Sequence, residues 1–215
     1  MKHKITALTL QKRNRQRVNV YLDSEFAFGL SRIVSAWLRV GQEISDEKIA
    51  QLQSDDAVEV AYQRALRFLN YRPRSASEIR TNLKKHRVGE EVIVDVLERL
   101  RQDEFVDDVR FAKIWVENRC EMRPRGKRAL VYELRQRGVD PEIIDNALVE
   151  IDEEQLALAA AKKKARKLRN LEWDDFRQKM FGFLARRGFT YEICAPAVAQ
   201  VWAEEHDHAA SEETI

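Results

Sequence analysis

Two arginine-proline-arginine turns hold the side chains best suited to chemistry in this chain. Arg72 and Arg74 flank Pro73, and 51 residues further on Arg123 and Arg125 flank Pro124. A guanidinium offers paired, coplanar N–H donors that match a phosphate or a carboxylate, so arginines repeated at one structural position suit an anionic partner. More cations lie close by. Residues 72 to 87 add Arg80, Lys84, Lys85 and Arg87 against Glu78 alone, and residues 119 to 137 add Arg119, Lys127, Arg128, Arg135 and Arg137 against Glu121 and Glu133. A third run, Lys162, Lys163, Lys164, Arg166, Lys167 and Arg169, contains no acid, and Arg186-Arg187 follow it. The candidate partner- or nucleic-acid-binding residues are Arg72, Arg74, Arg80, Lys84, Lys85, Arg123, Arg125, Lys127, Arg128, Arg135, Arg186 and Arg187. A blander reading stands beside this one: Arg72 and Arg123 complement the C-terminal dipole of a helix that Pro73 and Pro124 stop.

No catalytic constellation accompanies these cations. The chain lacks a glycine-rich phosphate loop, a nucleophile elbow and a spaced Cys/His quartet, and it has only seven glycines. His206 and His208 would supply two metal ligands in a tail, too few to close a site. The reading is therefore no enzyme, no metal and no cofactor. Cys120 and Cys194 fall at apolar repeat positions and are expected to be buried free thiols. No apolar run reaches the ~18 residues of a membrane span, and the N-terminus lacks the apolar core of a signal peptide, so a cytoplasmic location is expected. Net charge is +2, so the distribution of charge matters more than its sum. Acids gather apart from the cations, at Glu90-Glu91, Asp107-Asp108, Asp152-Glu153-Glu154 and Asp174-Asp175.

The elements that would position the arginines recur with them. A step of 51 residues carries Leu83 to Leu134, Val88 to Val139 and Leu97 to Leu148; a further 50 carries these to Leu184, Phe189 and Val198. Val92, Ile93, Val96, Leu97 and Leu100 share one helical face, and Ile143, Ile144, Ala147, Leu148, Ile151 and then Ile193, Cys194, Ala197, Val198, Val201 repeat it. That face marks the last helix of each unit. A middle helix carries Ile79 and Leu83, then Leu130 and Leu134, then Met180 and Leu184. Ser75 and Glu78 form a capping-box pattern at its start, and Gly138 and Gly188 stand where it should stop. Asp140-Pro141 and Thr190 then open the last helix. The first helix uses Val60, Ala61, Ala65 and Leu69, then Phe111, Ala112, Val116 and Cys120, and matches poorly in the third unit at Ala161, Ala165 and Leu168.

The expected fold is mainly α: tandem three-helix repeats over 56–105, 106–152 and 153–203 in an elongated curved array, behind a small N-terminal antiparallel β-sheet. Residues 1–55 hold that sheet, with strands at 5–10, 18–22 and 26–30 and a basic connection through Lys12, Arg13, Arg15 and Arg17. They also hold a helix over 31–40 with Ile33, Val34 and Trp37 inward, and another over 46–53 capped by Ser45. Residues 204–215 read as a disordered acidic tail. Trp115, Trp173 and Trp202, with Trp37, are read as core residues rather than base-stacking platforms.

The same residues resemble a known family. Arg72-Pro73-Arg74-Ser75 with Glu78, Ile79 and Leu83, then Phe105-Val106-Asp107-Asp108 with Phe111-Ala112 and Trp115-Val116, then Gly126, Leu130, Glu133-Leu134 and Arg137-Gly138-Val139, look together like the RecX family, regulators of the RecA recombinase. The N-terminal Arg17-Val18-Asn19-Val20 and Asp23 extend the likeness over about residues 1 to 203. The third unit departs from the pattern, with Trp173-Asp174-Asp175 in place of the arginine-proline turn. The resemblance implies a non-enzymatic protein that binds the RecA filament and its single-stranded DNA and inhibits ATP hydrolysis and strand exchange in recombination, repair and the SOS response; the chain is expected to be a monomer, with duplex DNA as a further candidate partner. Two other classes fit the residues: a DNA-binding transcriptional regulator built of three-helix modules, and a protein-binding scaffold whose cations are merely solvated.

Overall fold

The computed structural model describes residues 1–212, with side chains through Glu205. The chain divides into two compact units, Met1–Val106 and Asp107–Ile215. The first holds the sheet and the first three-helix repeat, and the second holds the other two repeats.

The sheet has four antiparallel strands, ordered β3-β2-β1-β4: β1 Lys2–Leu10, β2 Arg17–Leu22, β3 Glu25–Ser31 and β4 Glu43–Ser45. β1 to β3 meet the expectation, and β4 adds to it. Its three residues pair with Lys2, His3 and Lys4, and this return of the chain shortens the preceding helix to one turn, α1 Arg32–Ser35. As a result Trp37 is 88% exposed and Ile33 59%, while Leu38 takes the inward place in the core of Ile5, Val20, Leu22, Leu30, Ile44 and Leu52. The inward assignment of Trp37 and Ile33 is thus corrected.

Ser45 caps the next helix, its hydroxyl accepting from the Lys48 N–H. No glycine or proline interrupts the segment that follows, so the two helices expected around residues 46–53 and from 56 are one, α2 Asp46–Leu69. It joins sheet to repeat. Asp56 accepts from the Ser31 N–H at 2.6 Å and from Arg17 Nη2 at 2.9 Å, so Arg17 is committed to a half-buried pair and leaves the exposed tip to Lys12, Arg13 and Arg15.

Repeat one is completed by α3 Ala76–Lys85 and α4 Glu90–Gln102, around Ala61, Ala65, Ile79, Leu83, Ile93, Val96, Leu97 and Leu100. The capping box at Ser75 and Glu78 is formed in both directions. Repeat two is α5 Asp108–Met122, α6 Lys127–Arg135 and α7 Pro141–Leu148; repeat three is α8 Glu153–Ala165, α9 Trp173–Ala185 and α10 Tyr191–Glu212. Their cores repeat the first at Phe111, Ala112, Val116, Leu130, Leu134, Ile144 and Leu148, then at Phe176, Met180, Leu184, Cys194, Val198 and Val201. In the third repeat alanines replace bulk: Ala157, Ala160, Ala161 and Ala165 line the face of α8 in the core that α10 shares.

The middle helices end alike. Gly138 and Gly188 have φ of +67° and +89°, as their left-handed caps require, and Arg87 occupies the same place in repeat one at +61°. Helix α10 runs on to Glu212, past the point where the sequence suggests order ends; residues 213–215, and His206 and His208 as ligands, lie outside what is described.

Candidate functional site

The two arginine-proline-arginine turns differ once their partners are seen. In the first, Arg72 Nη2 meets Glu78 Oε1 at 2.6 Å, and Arg74 lies 3.8 Å from the same oxygen with its guanidinium 4.0 Å above the Phe68 ring. Burial, and then the charge of Arg72, pull the Arg74 pKa down. These two arginines thereby fasten the turn to α3. Arg80 and Lys84 both pair with Glu90, leaving Lys85 and Arg87 as the exposed cations of that face.

In the second turn Glu133 takes the central role. Its carboxylate accepts from Arg119 Nε at 2.7 Å and from the Trp115 indole N–H at 2.9 Å and forms an ion pair with Arg125 at 3.2 Å, while the Arg137 guanidinium lies 3.7 Å over the Trp115 ring. Trp115 is thus part of a polar clasp at the edge of the core; Trp173 and Trp202 stack edge to face at 5.2 Å beside Phe176. Gly126 supplies no side-chain cap to α6, and Glu153 of α8 accepts from the Lys127 N–H at 3.0 Å instead. The Glu78 N–H at the start of α3 and the Lys127 N–H at the start of α6 are thus each capped within the chain, which leaves the cationic side chains as the main groups to meet an anion.

Those side chains converge because two backbones touch. The Gly126 N–H donates to the Arg187 carbonyl at 2.9 Å, and a Cβ placed on Gly126 would lie 2.4 Å from the Gly188 carbonyl oxygen. Only glycine fits such an approach. The contact sets the end of α9 against the turn after α5, where Arg187 Nη1 donates to the Pro124 carbonyl at 3.0 Å and its guanidinium lies 4.5 Å over Phe183. Lys164 reaches the same ring at 5.6 Å. Met122, Arg123, Pro124, Ala160, Lys163, Lys164, Lys167, Phe183 and Arg187 then line a cleft of about 270 Å³. The Arg187 pKa is lowered, first by burial and then by Arg125 and Arg123. Sequence reasoning placed Arg123 and Arg187 among the candidates and saw the lysine run, but did not join them; the signal was Gly126 at the position where repeat one has Ser75.

Of the remaining candidates, Arg128, Arg135 and Arg186 are exposed and Lys127 is half-buried. Cys194 is buried and Cys120 half-buried, and burial raises both thiol pKa values. No cluster of three or more metal-ligating side chains occurs, and no helix is long and apolar enough to cross a membrane, among the described residues.

Family models match the chain in four successive pieces. They are the regulatory protein RecX N-terminal domain at residues 3–45 and the first, second and third RecX three-helix domains at 61–100, 107–148 and 152–198. The regulatory protein RecX of Bacillus licheniformis is 32% identical over 213 residues, covering 97% of this chain and 81% of the relative. The chain belongs to the RecX family. A second RecX relative, from Clostridium beijerinckii, is 30% identical with 95% and 98% covered. A crystal structure of regulatory protein RecX superposes with a TM-score of 0.72 at 30% identity, covering 89% of this chain and 96% of that one. The RecX of Lactobacillus salivarius shares the fold at a TM-score of 0.61 and 21% identity, over 68% of this chain and 97% of its own. Both arginine-proline turns and the Gly126–Gly188 contact fall in or between the stretches matched as RecX three-helix domains.

Proposed function

We propose that this protein is a non-enzymatic cytoplasmic regulator, a monomer, that binds the RecA filament on single-stranded DNA, inhibits its ATP hydrolysis and strand exchange, and so modulates recombination and the DNA-damage response. The observation that carries the reading is membership of the RecX family from the N-terminal sheet to the third repeat, since its relatives are named regulatory proteins. The site supports it. Each unit leaves exposed cations that ion pairs do not consume: Lys85 and Arg87 in the first, and Arg123, Arg128, Arg135 and Arg186 in the second, among the described residues. Such cations suit the phosphates of DNA or an acidic protein surface. Arg72, Arg74 and Arg125, held by Glu78 and Glu133, act mainly by shaping the turns that present the others. The reading is tested by sedimenting the protein with RecA assembled on single-stranded DNA, beside RecA alone and DNA alone. Co-sedimentation with the filament well above that with either component is expected. Equal recovery with bare duplex DNA would favour a transcriptional DNA-binding role instead.

A further inference from the structure

The cleft between repeats two and three has features that the family match leaves unexplained. Arg123, Lys163, Lys164, Lys167 and Arg187 come from the ends of α5, α8 and α9, and none of the five has a carboxylate within ion-pair distance among the described residues. Helix C-termini lie nearby, and each carries roughly half a negative charge. Three such ends would offset about one and a half charges of five, so a substantial positive excess remains. Nothing within the fold calls for that excess. Arg187 is held close to Arg123 by the Pro124 carbonyl and by the glycine contact, a placement that burial and like charge oppose. A volume of about 270 Å³ is just below the range usual for whole small-molecule ligands, and suits a phosphate with its sugar better than an entire cofactor.

We propose that this cleft seats the phosphate groups of a single-stranded nucleic-acid backbone, with Arg123, Lys163 and Lys167 as the exposed contacts and Arg187 as the fixed one. Phe183 lines the cleft with the Lys164 ammonium 5.6 Å and the Arg187 guanidinium 4.5 Å from its ring centroid, a cation–ring contact that holds both charges at the cleft. This rests on the reading of the protein as a partner of DNA-bound filaments and names the ligand of one part of its surface. Free phosphate or a nucleotide presents the same chemistry to these residues, and competition separates the sources.

The test uses the full chain and a fluorescent oligo(dT), without RecA. Lys163→Gln with Lys167→Gln removes two exposed cations and leaves the packed Arg187 in place; Arg166→Gln with Arg169→Gln removes the same charge from exposed residues of the same run that do not line the cleft. Each single-strand phosphate contact contributes about 0.7 to the slope of log affinity against log salt. The cleft variant should therefore lose up to about 1.4 of slope and about 25-fold in affinity at ~0.1 M salt, with a much smaller change in the control. Equal losses in both variants, or none in either, would overturn the proposal. Displacement of the oligonucleotide by millimolar inorganic phosphate or ATP, at ionic strength held constant, would assign the cleft to a free phosphate and overturn the backbone assignment. A cleft variant that binds oligo(dT) normally but fails to bind RecA in the absence of DNA would assign it to an acidic protein surface. RecA inhibition by the unaltered protein keeps the two readings apart: if it inhibits while the cleft variant binds oligo(dT) like the parent, the cleft assignment alone fails.

Discussion

Replacing Gly126 by alanine should separate repeats two and three at their tightest point. The added Cβ would lie 2.4 Å from the Gly188 carbonyl oxygen, 2.5 Å from its carbon and 2.7 Å from the Phe189 nitrogen, all backbone atoms with no rotamer to change. Gly188 is no freer to retreat, because its φ is +89° and its own α-carbon faces Ala129, where a Cβ would meet that residue's Cβ at 2.5 Å. Relief therefore requires the two turns to part, which lengthens or breaks the bond from the Gly126 N–H to the Arg187 carbonyl. Overpacking of this kind costs about 1–3 kcal/mol, and a buried donor left unpaired about 1–3 more. We expect a loss of about 3 kcal/mol, equivalent to ~12–24 °C in the melting temperature of a unit of this size. Differential scanning calorimetry of the full chain should show the transition of the second unit moving down while that of the first stays in place. Gly89→Ser is the control: that glycine starts α4 without a side-chain cap and has open space around it, so serine should stabilise by about 0.5 kcal/mol. A Gly126→Ala protein melting within about 2 °C of the parent would refute the glycine contact and the placement of Arg187 that depends on it.

Three further outcomes follow from particular contacts. Arg99 pairs at 2.7 Å with Glu59, whose side chain is only 4% exposed, so Arg99→Ala should destabilise the first unit by about 2 kcal/mol in urea unfolding, with Glu59→Gln in the same chain recovering part of it. His3 bridges Asp23 at 3.2 Å and Asp46 at 3.0 Å, and hydrogen bonds to Asp23 and then Asp46 raise its pKa above 6.5. The backbone N–H of Lys4 and then His3 depress Asp23, and the N-terminal amine and then His3 depress Asp46, both below 3.8. Stability from His3 is thus complete below pH 6.5 and lost as pH rises through its elevated value, and stability from the aspartates is complete above 3.8 and lost as pH falls through their depressed ones. Amide exchange at the β1–β4 pairing, corrected for intrinsic rates, should be slower at pH 5.5 than at pH 8, and His3→Gln should abolish that difference. Finally, Cys194 is 1% exposed with its thiol pKa raised by burial, so it should resist a thiol reagent in the native protein, whereas half-buried Cys120 reacts slowly; equal rates would contradict the packing of α10.

The repeats were legible because each copy places the same apolar residues in the same register. Leu83, Leu134 and Leu184 are all fully buried, as are Ile93 and its counterparts Ile144 and Cys194 to within 1%. The caps were legible too, since Ser75 with Glu78, Asp140-Pro141 and the two glycines act through local backbone geometry. Long-range pairing was not. Glu43–Ser45 is too short to show an alternation, so neither β4 nor its truncation of α1 could be read, and Trp37 was placed inward on helical spacing alone. At the candidate site composition revealed the cations but not their partners. Arg74 and Arg125 differ from the exposed Arg123 through the carboxylates folded against them, Glu78 and Glu133, and Arg74 also through the Phe68 ring beneath it. Lys163 joins Arg123 and Arg187 only because of the contact between two glycines 62 residues apart.

The most direct test of the account is the rate of ATP hydrolysis by RecA preassembled on single-stranded DNA, with this protein added first at substoichiometric and then at equimolar amounts. Inhibition at low ratios, at concentrations where this protein alone leaves the DNA largely unoccupied, is the predicted result. An unchanged rate up to equimolar addition, under conditions in which the protein is folded and binds the same DNA, would contradict regulation of the filament and leave only the repeat fold and its basic cleft to be explained.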